Sequence, residues 1–266
     1  MKHISSRDNP LYKRLMRLAR GKREKGADAH AVQHVLLEGV HLCQAWLQHA
    51  GAPELALFDL RKLETQAELQ SLANRLPAGL CHSCEPGLAA GLSQVEHGQG
   101  VYFLATAPTP VLPERIAHNC LWLDRLQDPG NVGTLLRTAA AAGIEHAYLS
   151  TACASVWSAK VLRSAQGAHF VMTIHEHVDL MALRRRLAIP LVATALDDAQ
   201  PLYDAPLPAK CAWVFGNEGQ GVDPSLLEQA DMRVFIPQVA EVESLNVAVA
   251  AGVCLFEQRR EHSQEL

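Results

Sequence analysis

The chain of 266 residues is 48% apolar and 20% charged, a balance that excludes a disordered chain and supplies one large core or two smaller ones. Its net charge of −4 conceals an asymmetry: residues 1–25 hold nine basic and two acidic side chains, so this segment is +7 and the remainder −11. No run of 18 uncharged apolar residues occurs, which excludes a membrane-spanning helix, and the first residues lack the apolar stretch of a secretory signal. Seven cysteines without regular spacing suit a reducing cytoplasm better than a disulfide framework.

Leu11, Leu15 and Leu18 recur at helical spacing, with Ser6 or Asp8 to cap that helix and Gly21 to end it. The basic arm that carries it fits a polyanion, because Lys and Arg release counterions from phosphates; a solvated helix face has the same composition, and charge does not decide between them. Residues 35–48 read as a strand feeding an amphipathic helix, 55–60 as a strand, 61–75 as a helix and 101–106 as another strand. They make a small α/β domain over residues 1–106. A linker at 107–118 opens with APTPVLPER, three prolines in nine residues.

From 119 to 266 strands and helices alternate. Strands are expected at 121–126, 146–150, 171–174, 191–196, 211–216 and 233–237, and helices near 131–142, 156–166, 179–187, 224–230 and 244–260. Asp223 and Pro224 are a helix start signal. Uniformly apolar strands between helices imply a mostly parallel sheet covered by helices on both faces. Residues 247–256 carry no charge, so the last helix should be buried against the sheet or a partner subunit.

In an open parallel sheet, ligands bind beyond the carboxyl ends of the strands. Three segments there exceed what packing requires. In DPGNVGTLLRTAAAAG (128–143), Pro129 and Gly130 make a turn, Asn131 can cap the helix, Gly133 allows close approach of another backbone or a phosphate, and Arg137 suits bidentate phosphate contacts. FGNEGQGV (215–222) is a loop whose amides can face a ligand, although a plain glycine-rich turn has the same composition. In IPQVAEVESLNVAVAAG (236–252), Ser244 serves as N-cap, and Asn246 needs partners beside so apolar a helix. CHSC at 81–84 resembles half a zinc site but nothing completes it, and His175 and His177 sit at an ordinary strand end. The spacing after the first strand is not the G-x-G-x-x-G of a dinucleotide site, and neither a G-x-S-x-G elbow nor a Walker sequence is present.

In order and together, NVGTLLRTA (131–139), FGNEGQGV (215–222) and IPQVAEVESLNVAVA (236–250) resemble the three motifs of the SpoU/TrmH family of RNA ribose 2′-O-methyltransferases, in the SPOUT superfamily. ISSRDNPLYKRLMRL (4–18) and VLLEGVHLCQAWL (35–47) are similar, more weakly, to the opening of that family's RNA substrate-binding domain. The resemblance implies a trefoil-knotted C-terminal α/β domain and a smaller N-terminal α/β domain of ribosomal-protein type. It implies S-adenosylmethionine as methyl donor, no metal, and a homodimer formed through the C-terminal domain. Gly216, Ile236 and Leu245 fall where the family contacts the cofactor, with Thr194 and Ala195 as softer candidates. The family's catalytic arginine maps to Arg137, and Asn131, Glu218, Ser244 and Asn246 form the supporting polar shell. Lys13, Arg14, Arg17, Arg20, Lys22 and Arg23 would track RNA, with rRNA favoured over tRNA in a cytoplasmic protein.

The third motif departs from the family's usual Ile-Pro-Met-x-Gly at Gln238 and Ala240, and Ala248 replaces a frequent serine. A weakly catalytic RNA-binding protein on this scaffold is the nearest alternative. A small-molecule enzyme on a doubly wound sheet would need a cofactor fingerprint after its first strand, and the sequence lacks one.

Overall fold

A short extended segment, β1 (Lys2–Ile4), precedes the first helix, α1 (Pro10–Ala19), in the computed structural model, which describes residues 1–21, 32–239, 241 and 244–262. Pro10 occupies the first turn, where its missing N–H is no loss. Asn9 is the cap: its Oδ1 accepts from the backbone N–H of Leu11 at 2.9 Å and of Tyr12 at 3.3 Å. The expected caps are otherwise engaged, Ser6 Oγ with the Asp8 N–H and Asp8 with Lys13 Nζ. Gly21 follows the helix at φ +69°, a left-handed stop. Lys22 and Arg23 lie outside the described residues.

The chain then makes β2 (His34–Glu38), α2 (Val40–His49), β3 (Leu55–Asp59), α3 (Leu60–Thr65), α4 (Ala67–Asn74), β4 (Cys81–Cys84), α5 (Pro86–Leu92) and β5 (Val101–Thr106). The helix expected over 61–75 is two, broken at Gln66, which is extended. β1, β4 and α5 have no counterpart among the expected elements; strands as short as Lys-His-Ile and Cys-His-Ser-Cys carry no apolar alternation. The sheet runs β1-β4-β3-β5-β2, parallel through its first three strands and antiparallel in its last two pairings. Its core includes Ile4, Leu15, Leu57, Leu88 and Leu104, and the phenols of Tyr12 and Tyr102 reach the Leu88 and Ala89 carbonyls of α5. Cys81 and Cys84, three apart on one strand, point to opposite sheet faces and are both buried, so they do not form half of a metal site.

The chain divides into two units, Met1–Pro108 with Trp157–Ala159, and Thr109–Val156 with Lys160–Leu266. The second contains β6 (Cys120–Leu123), α6 (Pro129–Ala141), β7 (His146–Ser150), α7 (Ala159–Ala165), β8 (Thr173–Val178), α8 (Leu180–Arg184), β9 (Leu191–Thr194), β10 (Gln200–Pro201), β11 (Ala212–Phe215), α9 (Pro224–Glu228), β12 (Met232–Phe235) and α10 (Val247–Glu261). Among the described residues its sheet has seven strands, ordered β10-β12-β9-β11-β6-β7-β8, and every pairing is parallel. β8 starts two residues later than expected: Val171 is 58% exposed in the preceding turn, and the edge strand is built from the largely polar run TIHEHV.

Helices cover both faces. Trp122 and Val214 pack with Leu180 and Leu183 of α8 and Leu226 of α9. On the opposite face, the fully buried Trp213 donates its indole N–H to Gln258 Oε1 of α10 at 2.8 Å. Gln258 returns its amide protons to the Pro208 carbonyl and Cys211 Sγ, so this buried amide carries no desolvation debt. α10 is covered on one side only: Ala248, Ala251, Cys254 and Leu255 are buried, while Val249 and Phe256 are 55% and 47% exposed. All seven cysteines are free thiols.

Candidate active site

The neighbouring strands β12, β9, β11 and β6 end at Phe235, Thr194, Phe215 and Leu123, so the residues that follow them share one edge of the sheet. Ile236, Ala195, Gly216 and Asp124 are those residues, and Ile236, Thr194 and Ala195 are partly exposed there. The Ala195 N–H is spent on the Val234 carbonyl at 3.0 Å, which leaves its carbonyl as the polar group it can offer. Gly216 is required by packing: a Cβ there would stand 2.0 Å from the Val222 nitrogen and 2.1 Å from the Gly221 carbonyl carbon. The loop folds back on itself through reciprocal backbone bonds between Asn217 and Gly221, 2.9 and 2.8 Å, while Asn217 Oδ1 accepts from Gly219 and Gln220.

α6 begins differently from expectation. Asp128 is its cap, accepting from the Asn131 N–H at 3.0 Å, and Pro129 and Gly130 already belong to the first turn. Asn131 is therefore inside the helix with its side chain released. The Asp128 carboxyl is held below its ordinary value by that N–H and by Lys160, which lies 3.2 Å away. Gly133 serves the close backbone approach: a Cβ would meet Ser164 Oγ at 1.9 Å and the Val161 carbonyl at 2.7 Å, both on α7.

α10 is capped two residues later than expected. Asn246, rather than Ser244, accepts from the N–H groups of Ala248 and Val249. Ser244 is exposed and makes no side-chain hydrogen bond among the described residues. α6 and α10 lie side by side and run the same way. Asn246 Nδ2 donates to Asn131 Oδ1 at 3.0 Å at their starts, and Arg259 Nη1 donates to the Ala142 carbonyl at 3.0 Å near their ends. Asn131 Nδ2 then donates to Glu218 Oε1 at 3.1 Å.

One chain of hydrogen bonds thus joins segments 87 and 115 residues apart, Glu218 to Asn131 to Asn246. Its direction is fixed, because backbone donors at α10 hold Asn246 Oδ1 and a carboxylate at the other end can only accept. Glu218 also accepts from the N–H of Asp128 at 3.2 Å and of Gln127 at 3.4 Å. Burial pushes its carboxyl up, but the bonds from Asn131 and from the backbone of Glu218, Asp128 and Gln127 outweigh it and bring the value below 4.5. An anion at the start of α6 is further favoured by the helix dipole.

Arg137 lies on α6, exposed, with no hydrogen bond or ion pair among the described residues. It is not part of the Glu218–Asn131–Asn246 chain. Leu245 is 38% exposed, as are two further large apolar side chains after the strand ends, Leu196 at 70% and Val239 at 65%. No group of three or more His, Cys, Asp or Glu side chains able to hold a metal occurs among the described residues.

Two residues that sequence reasoning passed over complete the site. Asp124, 3% exposed directly after β6, accepts from the Asp223 N–H and from Arg125 Nε, and Arg125 reaches across to Gln220 and Gly221. The sequence does carry a signal for Asp128: like Asp223, it is an acid directly before a proline.

In the N-terminal unit, Arg7, Lys13, Arg17 and Arg20 line an open concavity of about 820 Å³ along α1, with Pro10, Tyr12, Met16 and Gly91. Lys13 pairs with Asp8 at 2.7 Å, whereas Arg17 and Arg20 are exposed with no ion pair among the described residues. Arg14 is half-buried on the same helix.

The model of the SpoU rRNA Methylase family matches residues 118–256. A Synechocystis protein called an uncharacterized tRNA/rRNA methyltransferase is 35% identical over 97% of this chain and 93% of its own length. The 23S rRNA (guanosine(2553)-2′-O)-methyltransferase RlmP of Bacillus subtilis is 33% identical over 84% of this chain and 88% of its own. A crystal structure of an RNA 2′-O ribose methyltransferase superposes with a TM-score of 0.79 over 98% of this chain and 99% of that one, at 27% identity. The chain belongs to the SpoU rRNA methylase family.

Proposed function

We propose that this protein transfers a methyl group from S-adenosylmethionine to a ribose 2′-hydroxyl of rRNA. The observation that carries this reading is the bonded chain from Glu218 through Asn131 to Asn246, which ties three segments together at one sheet edge. The sheet edge suits the cofactor. Gly216, Ile236 and Leu245 would hold it with Thr194 and Ala195 beside them, and the exposed apolar side chains there would gain cover from an adenine.

When bound, S-adenosylmethionine supplies an activated sulfonium methyl. The protein's own task is to bring a ribose oxygen into line with it and ease departure of the hydroxyl proton. Arg137 does this by binding the adjacent phosphate and polarising the 2′-oxygen; a guanidinium is a poor base, so the proton leaves with help from that phosphate. Asn131 and Asn246, fixed in orientation, hold the starts of α6 and α10 around the reacting groups, and Glu218 anchors them as a carboxylate. Ser244, two residues before Asn246, is the remaining member of the proposed shell.

RNA would be gathered by α1, where Lys13, Arg14, Arg17 and Arg20 can follow a phosphate backbone without reading sequence. Lys22 and Arg23 extend that basic run in sequence. The trefoil knot and a homodimer through the C-terminal domain belong to the same reading; the exposed Val249 and Phe256 on α10 are apolar surface a second subunit would cover. A cytoplasmic location belongs to the same reading.

The test is methylation of rRNA and tRNA with a labelled methyl donor, followed by alkaline hydrolysis, which spares linkages carrying a 2′-O-methyl group. Calorimetry with S-adenosylmethionine runs alongside it. Label in hydrolysis-resistant rRNA dinucleotides is expected. Label in tRNA alone would overturn the substrate, and RNA binding without cofactor binding would overturn the enzyme.

A further inference from the structure

Arg125 stands directly after Asp124 with a φ of +57°, a left-handed backbone conformation that disfavours any residue with a Cβ. Every polar group it owns is engaged. Its N–H donates to Ser150 Oγ at 2.8 Å, and its carbonyl accepts from Asn217 Nδ2 at 2.9 Å. Nε donates to both Asp124 oxygens at 3.2 and 3.1 Å, Nη1 to Gln220 Oε1 at 3.0 Å, and Nη2 to the Gly221 carbonyl at 3.3 Å. Asp124 is buried and also accepts from the Asp223 N–H at 2.9 Å, so the pair is fixed at the end of β6.

The planar fork therefore spans from one strand end to the far half of the loop after the neighbouring strand, a reach that a lysine with one ammonium cannot reproduce. The near half of that loop has its own anchor, because Glu218 is bound to Gln127, Asp128 and Asn131. Strain at one backbone position together with full use of the side chain is the pattern of a conformation retained for a site.

We propose that Arg125 is a positioning residue that clamps the 217–221 loop in the shape that receives the methyl donor. The proposal rests on the cofactor reading above. Because Glu218, Asn131 and Arg137 are held or placed without Arg125, losing the clamp should weaken cofactor binding and leave the transfer step intact.

The experiment compares wild type, Arg125→Gly and Arg125→Lys in the full-length protein. Arg125→Gly relieves the backbone strain while removing the fork, and Arg125→Lys keeps the charge facing Asp124 but drops the contacts to Gln220 and Gly221. Amide exchange at Gly219, Gln220 and Asp223 is measured without cofactor, and Kd and KM for S-adenosylmethionine, kcat and KM for RNA are measured with it.

Arg125→Gly is expected to speed exchange at those amides and to raise Kd and KM for the cofactor about tenfold, with kcat and KM for RNA within about twofold of wild type. Arg125→Lys should fall between the two. Unchanged exchange, a cofactor Kd within twofold of wild type, or an equal loss in kcat would overturn the clamp. Failure of both variants to fold would overturn it too, by making Arg125 a stability residue. A wild-type protein that binds no S-adenosylmethionine would refute the proposed function instead, and the exchange data would then decide the clamp by themselves.

Discussion

Asn246 performs two tasks that two substitutions can separate. Its Oδ1 caps α10 through Ala248 and Val249, and its Nδ2 donates to Asn131. Asn246→Ala removes both. Loss of an N-cap costs about 1 kcal/mol and loss of a partly exposed hydrogen bond about another 0.5–1 kcal/mol, so about 2 kcal/mol of unfolding free energy should disappear. Asn246→Asp keeps an equally good cap, and the added charge sits favourably at a helix N-terminus, so stability should stay within about 0.5 kcal/mol of wild type. The aspartate has no proton to give Asn131 Oδ1. If the Asn131 amide turned over to donate to it, its oxygen would face Glu218 Oε1, now 3.1 Å from Nδ2. Either arrangement leaves one acceptor opposed to another, and the starts of α6 and α10 should separate. A displacement on the order of 1 Å costs as much as about a hundredfold in rate, so Asn246→Asp should lose between tenfold and a hundredfold in single-turnover methylation while melting like wild type. An aspartate variant with the wild-type rate would refute the reasoning, as would one whose rate loss merely tracks a loss of stability.

Glu218→Gln tests the anchor through pH. The carboxyl lies lower in the folded protein than its ordinary 4.5, so its contribution is complete above that value and is lost as pH falls through the folded one; thermal midpoints of wild type should decline over that acid range, and the glutamine variant, destabilised at pH 7, should decline less steeply. Gly216→Ala places a Cβ against backbone that cannot yield, and a loss of about 3 kcal/mol is expected in denaturant unfolding, with cofactor binding lost. Arg137→Ala should reduce single-turnover methylation by about a hundredfold or more with cofactor affinity unchanged in calorimetry, and Arg137→Lys should restore part of it. Arg17→Ala should weaken RNA binding uniformly across sequences and reduce the slope of log K against log salt by about 1, measured by fluorescence anisotropy.

Much of the C-terminal sheet was legible because its strands are apolar throughout: LWL at 121–123, LVAT at 191–194 and AWVF at 212–215 have no other reading between helical segments. What escaped was polar or short. The later part of β8, with two histidines and a glutamate, extends beyond the strand expected at 171–174 and is visible only through partners such as Tyr148, against which the ring of His175 stacks at 4.8 Å. β1 and β4 hold seven residues between them and pair with each other, so neither has a pattern until both are placed. α10 is the opposite case: its apolar composition pointed to burial against the sheet or a partner subunit, and among the described residues only its sheet-facing side is covered.

Helix caps show how a local misreading reaches the site. Three helices begin with Asn9, Asp128 and Asp223, each immediately before a proline, and the proline fixes which residue caps, since it can occupy only the first turn. Reading Asn131 as the cap of α6 would commit its Oδ1 to backbone N–H groups, as Asn246 is committed at α10. Asp128 takes that role, so Asn131 has a free acceptor for Asn246 and a free donor for Glu218. Two asparagines that look alike in the sequence thus differ in kind. One caps a helix and donates outward, and the other caps nothing and so can join two loops. What distinguishes them is the proline two residues before Asn131, and it is this proline, far more than the polarity of the asparagines, that makes the linked arrangement possible.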